Sequence, residues 1–425
     1  MTESTDRPSY RALLDVPSLG RVLISMQIAR IAGSMVGIVV ILLALQRFHS
    51  PQLAGAIGFA AIAPGMLISP IAGALLDRHG RVPLIILDYL VAGSSLMAVV
   101  VLLFAGTLDP VALLLISGVS SLTAPLSSSG LRSLFPLVVP EQLWERVNAV
   151  DSNGWLLATL VGAPFGALSA QILGFEAALS IIAAAYLVSA VRMIGAPDPR
   201  IAVASSGHLM RDAWDGLVYT WNNRTLRALA MSLSLTNMAG GILQIAVPVM
   251  ILDHLGLGED TVGYVYGIMG AFGIVSAFAS GRLRTAGREK RWIVLSSWGF
   301  TATDVLLLLP FGLPVIALSF ALAGLVNGPL DISLFTLRQR CTDPAWMGRA
   351  FTVSMNLNFS GVPIGSALAG FMLGAWPLEV VLIAAVIVNG LGALVGWLLL
   401  PAPEVAAAGG APTPAASPSA DTVPD

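Results

Sequence analysis

The sequence is poor in charge, cysteine and histidine. Only 11% of its 425 residues are Asp, Glu, Lys or Arg, whereas 56% are hydrophobic, and the mean hydropathy is +0.84. Since a soluble domain carries roughly 25% charged residues, this composition excludes an ordinary soluble enzyme built around one buried core. The single cysteine, Cys341, excludes an intrachain disulfide.

The few histidines fall outside the long apolar stretches, at His49, His79, His208 and His254. No metal-ligand cluster can be assembled from them within those stretches, so we expect neither a metal nor another cofactor. The sequence also has no phosphate-binding loop and no set of nucleophile, histidine and carboxylate in an apolar stretch. We therefore expect no enzymatic activity and no nucleic-acid partner. A membrane-embedded enzyme or a sensor without transport activity is the rival hypothesis.

Apolar stretches repeatedly reach the ~20 residues that an α-helix needs to cross a bilayer. They predict an all-α integral membrane protein with twelve transmembrane helices. The first stretch is too long for the core of a signal peptide, so we expect it to be retained. The predicted spans are residues 19–45, 53–76, 83–105, 110–134, 149–172, 175–194, 227–252, 261–283, 292–311, 314–337, 350–373 and 378–400.

The basic residues indicate the orientation of these spans. Of the 22 Lys and Arg residues, only Arg47 lies in a loop on the opposite side and only Arg30 lies deep in a span. Because the side rich in Lys and Arg faces the cytoplasm, we expect both termini to be cytoplasmic. The Arg-, Ala- and Gly-rich composition favours a bacterial source, and hence a multi-pass protein of the bacterial cytoplasmic (inner) membrane.

The spans group into two halves around a polar connector. Leu209, Trp214, Leu217, Val218 and Trp221 share one helical face of that connector, which predicts an amphipathic helix at the membrane interface; a simple linker is the alternative. The predicted parts are a cytoplasmic segment 1–18, a six-helix bundle 19–195, the connector 196–226, a second six-helix bundle 227–400 and a disordered cytoplasmic tail 401–425.

The two halves contain matching residues. A shift of 208 places Gly55, Gly65 and Gly73 on Gly263, Gly273 and Gly281, which matches span two to span eight. A shift of 204 places Pro125-Leu126 on Pro329-Leu330. The stretch Gly162-Ala163-Pro164-Phe165-Gly166 matches Gly361-Val362-Pro363-Ile364-Gly365. Three matches in the same order indicate two six-helix pseudo-repeats.

The loop after span two, residues 73–83, contains a motif that we call the latch loop. Gly73 lets a neighbouring helix approach, Asp77 can accept hydrogen bonds, and Gly80 supplies the turn between Arg78 and Arg81. This motif resembles the signature loop of the major facilitator superfamily. In the second half, residues 281–288 retain the glycine and the basic residues, but Thr285 stands where the carboxylate would be.

Two further stretches are similar to exporter members of that superfamily, of the drug or siderophore efflux type. They are residues 139–149 and Gly348-Arg349-Ala350, so the resemblance covers residues 19–400. It implies the major facilitator fold and a secondary active transporter that works by alternating access. We expect proton-coupled export of small, moderately hydrophobic molecules by a monomer whose partners are substrate, protons and membrane lipid. An uptake symporter or a lipid translocator on the same fold is the alternative.

Span five departs from the drug antiporters that the chain resembles. Those members carry Gly-Pro followed two residues later by Gly-Gly, whereas here the proline lies one place late, at Pro164, and the final glycine is replaced by Ala167. The departure leaves the direction of transport open. Gly154, Gly162 and Gly166 nevertheless form a stripe of small residues suited to close helix packing.

Three ionisable residues lie where lipid is expected: Arg30, Asp304 and Asp331. Each costs ~2.5–3.5 kcal/mol to insert, so each needs a partner or a cavity. The resemblance implies that spans one, four, seven and ten line the central cavity. We therefore expect Arg30 and Asp331 to face each other and to bind substrate or protons, and Asp304 to make a buried polar contact within the second bundle.

Polar residues on the same spans are candidates for the cavity lining. Each of them, alternatively, is a hydrogen-bonding link between helices. Asp88 and Asp151 lie nearer the inner ends of their spans, and we expect them to support the latch loop. The cavity candidates are Gln27, Ser34, Ser127, Asn237, Gln244, Asn327, Asn356 and Ser360.

Overall fold

The computed structural model describes residues 10–199, 209–280, 287–343 and 346–401. Within these ranges the regular structure is helical, and no strand is present. The first half contains α1 (Leu19–Phe48), α2 (Pro51–Ala60), α3 (Ala63–His79), α4 (Arg81–Phe104), α5 (Pro110–Val138), α6 (Trp144–Leu173) and α7 (Phe175–Met193). The connector contains α8 (Leu209–Asn222).

The second half contains α9 (Arg224–Val249), α10 (Glu259–Ser280), α11 (Glu289–Leu306), α12 (Leu313–Cys341), α13 (Met347–Phe359), α14 (Gly361–Leu373) and α15 (Leu378–Leu399). A π-helical turn, Met250–His254, extends α9. These helices coincide with the twelve predicted spans, and the predicted fold class is confirmed.

Two spans are each divided into two helices. Span two consists of α2 and α3, and span eleven consists of α13 and α14. Pro64 and Pro363 lack the N–H that would bond to the carbonyl four residues earlier, at Ala60 and Phe359. Ala60 is the last residue of α2 and Phe359 is the last residue of α13. The two prolines therefore explain both breaks.

Eight helical stretches in the described part are long and apolar enough to cross a membrane on length and composition alone, and one of them, Pro51–Ser69, runs across the break between α2 and α3. Two of the other crossings are shorter in apolar length. The apolar part of α6 is restricted to Leu157–Leu173, because its first turns are polar and include Asp151. The eleventh span is divided into two helices of 13 residues each.

Glycines allow the equivalent helices of the two halves to pack in the same way. In the first half, Gly154, Gly162 and Gly166 of α6 lie directly against α1. In the second half, Gly361 and Gly365 lie against the backbone of α9. The matching Gly-x-Pro-x-Gly stretches therefore make the same helix contact twice, which confirms the predicted packing role of the stripe and the internal repeat.

α1 begins and α15 ends at the same face of the molecule, which we call the terminal face. The two bundles meet at the opposite face, which we call the far face. Near the far face Gly55 of α2 contacts Gly370 of α14, and Gly263 of α10 contacts Pro164 of α6. Toward the terminal face, α8 packs against both α3 and α13. The bundles are therefore in direct contact at the far face and are bridged by α8 at the terminal face.

Two adjacent glycines of α9 provide a matched test of this packing. A Cβ at Gly241 would collide with the backbone carbonyl of Val362, whereas a Cβ at Gly240 would meet nothing within 4 Å. We expect Gly241→Ala to lower the free energy of unfolding by about 1–3 kcal/mol through overpacking. Gly240→Ala should be neutral or slightly stabilising, since alanine is the better helix former. Thermal unfolding of both variants in detergent measures the difference, and equal midpoints would contradict this packing.

Candidate functional site

A buried ion pair joins α1 to α6 in the first bundle. Arg30 Nη2 lies 2.5 Å from Asp151 Oδ1, and Arg30 Nη1 donates to the Asp151 backbone carbonyl at 2.7 Å. The two side chains are only 8% and 9% exposed. Arg30 therefore has its counter-charge within its own bundle. This corrects the expectation that Arg30 would face Asp331.

The close approach of α1 and α6 positions this pair. A Cβ at Gly154 would overlap the side chains of Gln27 and Arg30, so the glycine leaves the room that both side chains occupy. Gln27 Nε2 donates to the Gly154 carbonyl at 3.0 Å. Two turns further along α6, Ser34 packs against Gly162. Gln27 and Ser34, two of the cavity candidates, thus lie beside Arg30 on α1, and both contact α6.

Two exposed side chains adjoin the ion pair. Arg132 Nε on α5 lies 3.7 Å from Asp151 Oδ2, and the Arg132 side chain is 58% exposed. Trp155 follows Asp151 by one helical turn, is 48% exposed, and has the Arg30 guanidinium 5.0 Å from its ring centroid. The site therefore combines an aromatic surface and an accessible guanidinium with a neutralised pair, a combination suited to a planar apolar molecule with a polar group.

Neither Arg132 nor Trp155 is among the site residues predicted from the sequence. Arg132 lies two residues before the predicted end of span four and so counts among the basic residues of the inner side, whereas α5 continues to Val138. The available signal was the four-residue spacing of Asp151 and Trp155, which places both on one face of α6.

Asp88 is a second buried carboxylate of the first bundle. It lies on α4, is 5% exposed, and has the hydroxyl groups of Thr123 and Ser127 on α5 as polar neighbours. Ser127, the repeat counterpart of Asp331, is thus directed toward Asp88. These contacts place Asp88 at the α4 and α5 interface, and its support of the latch loop stays a prediction.

Asp331 of α12 is half-buried and is not part of an ion pair among the described residues. Asn327 Nδ2, one turn earlier, donates to Asp331 Oδ2 at 2.8 Å. Since the carboxylate has an amide as its partner and no described cation, its charge depends on water or on a bound cation or proton. Asp331 therefore differs in kind from Asp151, which is neutralised by Arg30.

Arg338 is a further charged residue in the second bundle that the sequence analysis missed. Its side chain is fully buried, and its Nη1 lies 2.6 Å from Met355 Sδ on α13. Span ten was expected to end at residue 337, whereas α12 continues to Cys341. The spacing of Asn327, Asp331 and Arg338 along one face of α12 was the signal that could have identified it.

The other cavity candidates of the second bundle lie between α9 and α13. Asn237 Nδ2 donates to the Asn358 backbone carbonyl at 2.9 Å, and the hydroxyls of Ser360 and Ser234 are 3.5 Å apart. Asn237 and Ser360 thus link helices, the alternative that the sequence left open. Gln244 and Asn356 are half-buried on α9 and α13.

Asp304 lies away from these residues. It is 5% exposed and accepts a hydrogen bond of 2.7 Å from Asn389 Nδ2, which joins α11 to α15. The expected buried polar contact within the second bundle is confirmed, and Asp304 is not part of the candidate site.

The latch loop is described in part. The surroundings of Gly73 and the side chain of Asp77 lie outside the described residues, as do residues 281–286 of the second half. Arg78 is exposed at the end of α3, Gly80 has a φ of 91°, and Arg81 is buried, with its Nε donating to Ser133 Oγ at 3.2 Å. The turn at Gly80 is as predicted, because a positive φ favours glycine.

Asp198, which follows α7, contacts the latch loop. Its Oδ2 accepts a hydrogen bond of 3.2 Å from the Val82 backbone N–H and occupies the space that a side chain at position 80 would fill. The carboxylate thus satisfies a free N–H in the first turn of α4. Asp198 falls within the predicted connector 196–226 and is not among the site residues predicted from the sequence.

We expect Asp198→Ala to lower the free energy of unfolding by ~0.5–2 kcal/mol, because the first turn of α4 loses this acceptor. Asp198→Asn should retain most of the stability, since its amide oxygen can accept the same hydrogen bond. Thermal unfolding in detergent compares the two variants. A loss of equal size in both would show that the charge, and not the hydrogen bond, stabilises this turn.

Comparison with known proteins identifies relatives over most of the chain. A family model described as Major Facilitator Superfamily matches residues 22–365 and 229–422. The uncharacterized MFS-type transporter y4rN of Sinorhizobium fredii is 34% identical over 368 residues, which cover 86% of this chain and 91% of that protein. The multidrug efflux pump Tap of Mycobacterium tuberculosis is 27% identical over 357 residues, which cover 80% and 84% of the two chains.

Solved structures share the fold. A mutant of the nucleoside transporter NupG superposes with a TM-score of 0.73 at 14% identity, over 90% of this chain and 100% of that chain. A bacterial homologue of the iron transporter ferroportin in its inward-facing state gives a TM-score of 0.70 at 17% identity, over 90% and 98% of the two chains. At these identities the likeness is one of fold alone.

Proposed function

The chain belongs to the major facilitator superfamily, and on that premise we propose that it exports small, moderately hydrophobic molecules in exchange for protons by alternating access. That it is a multi-pass membrane transporter and not an enzyme follows from the family and from the names of its relatives. Direction, proton coupling and substrate class are the proposed part. The 27% identity to a protein named as a multidrug efflux pump supports export.

The packing of the two bundles is the observation that carries this proposal. Near the far face, glycines bring α2 onto α14 and α10 onto α6, while toward the terminal face α3 and α13 are bridged by α8. Gly37 of α1 and Gly240 of α9 lie near the middle of their helices, and a Cβ at either would meet nothing within 4 Å. This is the arrangement of a transporter that is closed at one face and open toward the other.

The residues near the opening suggest what the protein moves. Trp155 offers an exposed aromatic face, and Arg132 offers guanidinium donors beside Asp151. We assign the substrate to planar, moderately hydrophobic molecules with one polar group, and the proton to Asp331. The basic loops support a cytoplasmic terminal face, so that the open state faces the cytoplasm of a bacterial cell. We expect the working unit to be a monomer.

Transport by the purified protein tests this proposal. In proteoliposomes that carry the protein with its terminal face outward, an acidic lumen should drive a lipophilic aromatic dye into the lumen, and collapse of the pH gradient should release it. Dye accumulation that follows an alkaline lumen would instead indicate uptake symport. Transfer of labelled phospholipid between leaflets without dye movement would indicate lipid translocation. Absence of any gradient-driven movement across a panel of such molecules would refute proton-coupled export.

A further inference from the structure

The connector helix α8 has two different faces. On one face, Tyr219 stacks on Trp346 with 4.9 Å between ring centroids, and its hydroxyl accepts a hydrogen bond of 3.0 Å from the Asp343 backbone N–H. On the other face, Trp214, Val218 and Trp221 are 63%, 40% and 51% exposed. Their four- and three-residue spacing makes this face continuous. The helix is therefore fixed to the second bundle and presents an apolar aromatic face that no described residue covers.

A small cavity lies between the beginning of α9 and the end of α15. It is lined by Arg224, Arg227, Ala228 and Leu399 and has a volume of about 40 Å³. Pockets for drug-sized ligands measure roughly 300–1,000 Å³, so this cavity holds one small polar group and not a transported molecule. Arg227 Nη1 donates to the Trp221 backbone carbonyl at 2.8 Å, which fixes its guanidinium beside the exposed face of α8.

The positive charge around this cavity is not neutralised within the described part of the chain. Arg224 and Arg227 form no ion pair with a described acidic side chain. Lys290 of α11 lies beside the end of α15, where its Nζ donates to the Leu400 carbonyl at 2.5 Å. It adds a third cation to this region. The first N–H groups of α9 are already bonded to Asn223 Oδ1, so the guanidinium groups, and not the helix end, are the free anion-binding groups.

The position of the cavity indicates which anion is available. Arg224 begins one membrane-spanning helix and Leu399 ends another, so the cavity lies at the depth of the lipid headgroups. Tryptophan is enriched at this depth, and clustered basic residues there attract anionic lipids. We propose that Arg224 and Arg227 bind the phosphate of an anionic glycerophospholipid, whose acyl chains lie along the Trp214, Val218 and Trp221 face of α8.

Lipid binding to the purified full-length protein tests this site independently of transport. Native mass spectrometry and thermal unfolding would compare phosphatidylglycerol, phosphatidylcholine and inorganic phosphate. We expect phosphatidylglycerol to bind and to raise the unfolding temperature, and neither of the other two to do so. Arg224→Gln with Arg227→Gln should weaken binding by about fivefold for each arginine, or about 30-fold together.

Matched variants separate the site from general charge. Arg288→Gln with Arg291→Gln removes two exposed arginines from the same face and should leave phosphatidylglycerol binding unchanged, and Arg224→Lys with Arg227→Lys should retain most of it. Trp214→Ser with Trp221→Ser should weaken lipid binding without changing the unfolding temperature in lipid-free detergent. This second pair tests the same site if the variant with both glutamines does not fold. Equal losses in both glutamine pairs, equal binding of phosphatidylcholine, or an equal response to inorganic phosphate would overturn the proposal.

Discussion

Asp151→Asn is expected to lower the free energy of unfolding by about 3–5 kcal/mol, because it leaves the buried guanidinium of Arg30 without its counter-charge. The two side chains are 8% and 9% exposed, so water cannot replace the lost carboxylate. Arg30→Gln should cost less, since Asp151 would still have Arg132 Nε at 3.7 Å. Denaturant or thermal unfolding in detergent measures both losses.

The double variant Arg30→Gln with Asp151→Asn is the control for this prediction. It removes both charges, so neither is left uncompensated, and most of the stability lost in Asp151→Asn should return. Recovery would show that the unpaired charge causes the loss. If the losses of the single variants simply add in the double variant, the two residues do not act as a pair and this account of the site is wrong.

Hydropathy and small-residue spacing were sufficient to predict most of the fold. The twelve spans follow from the length of the apolar stretches, and the Gly-x-Pro-x-Gly matches correspond to equivalent contacts of α6 with α1 and of α14 with α9. The breaks at Pro64 and Pro363 were not predicted, although both prolines were visible. A proline within an apolar run either kinks a membrane helix or divides it, and the outcome depends on whether neighbouring groups satisfy the free carbonyl.

The charged residues of the site were harder to predict. Arg30 was expected to face Asp331 because both lie on spans assigned to the cavity, but the rotation of α1 turns Arg30 toward Asp151 on α6. The rotation of a helix about its axis depends on how it packs. Here the absence of a side chain at Gly154 leaves room for Arg30 beside α6. Arg338 was missed because an error of four residues at the end of span ten moved it from helix to loop. An error of this size at a helix end does not change the predicted fold, but it decides whether a charged residue is assigned to a helix or to a loop.

Asp331→Asn is expected to abolish accumulation driven by a pH gradient while the protein still exchanges substrate across the membrane. Each pH unit is equivalent to a factor of ten in concentration, so a gradient of about two units can drive up to about 100-fold accumulation per proton exchanged. Asparagine preserves the hydrogen-bonding contact with Asn327 but cannot release or bind a proton in this range. The measurement is dye accumulation in proteoliposomes with and without the gradient, beside dye counterflow without it.

Asp304 and Asp331 serve as controls for each other because they differ in their partners. Asp331 has an amide partner and no described cation, so its substitution should remove coupling with little loss of stability. Asp304 is also a carboxylate but lies between α11 and α15, and Asp304→Asn should leave accumulation unchanged. Full accumulation by Asp331→Asn would assign the proton to another group and refute the role proposed here for Asp331.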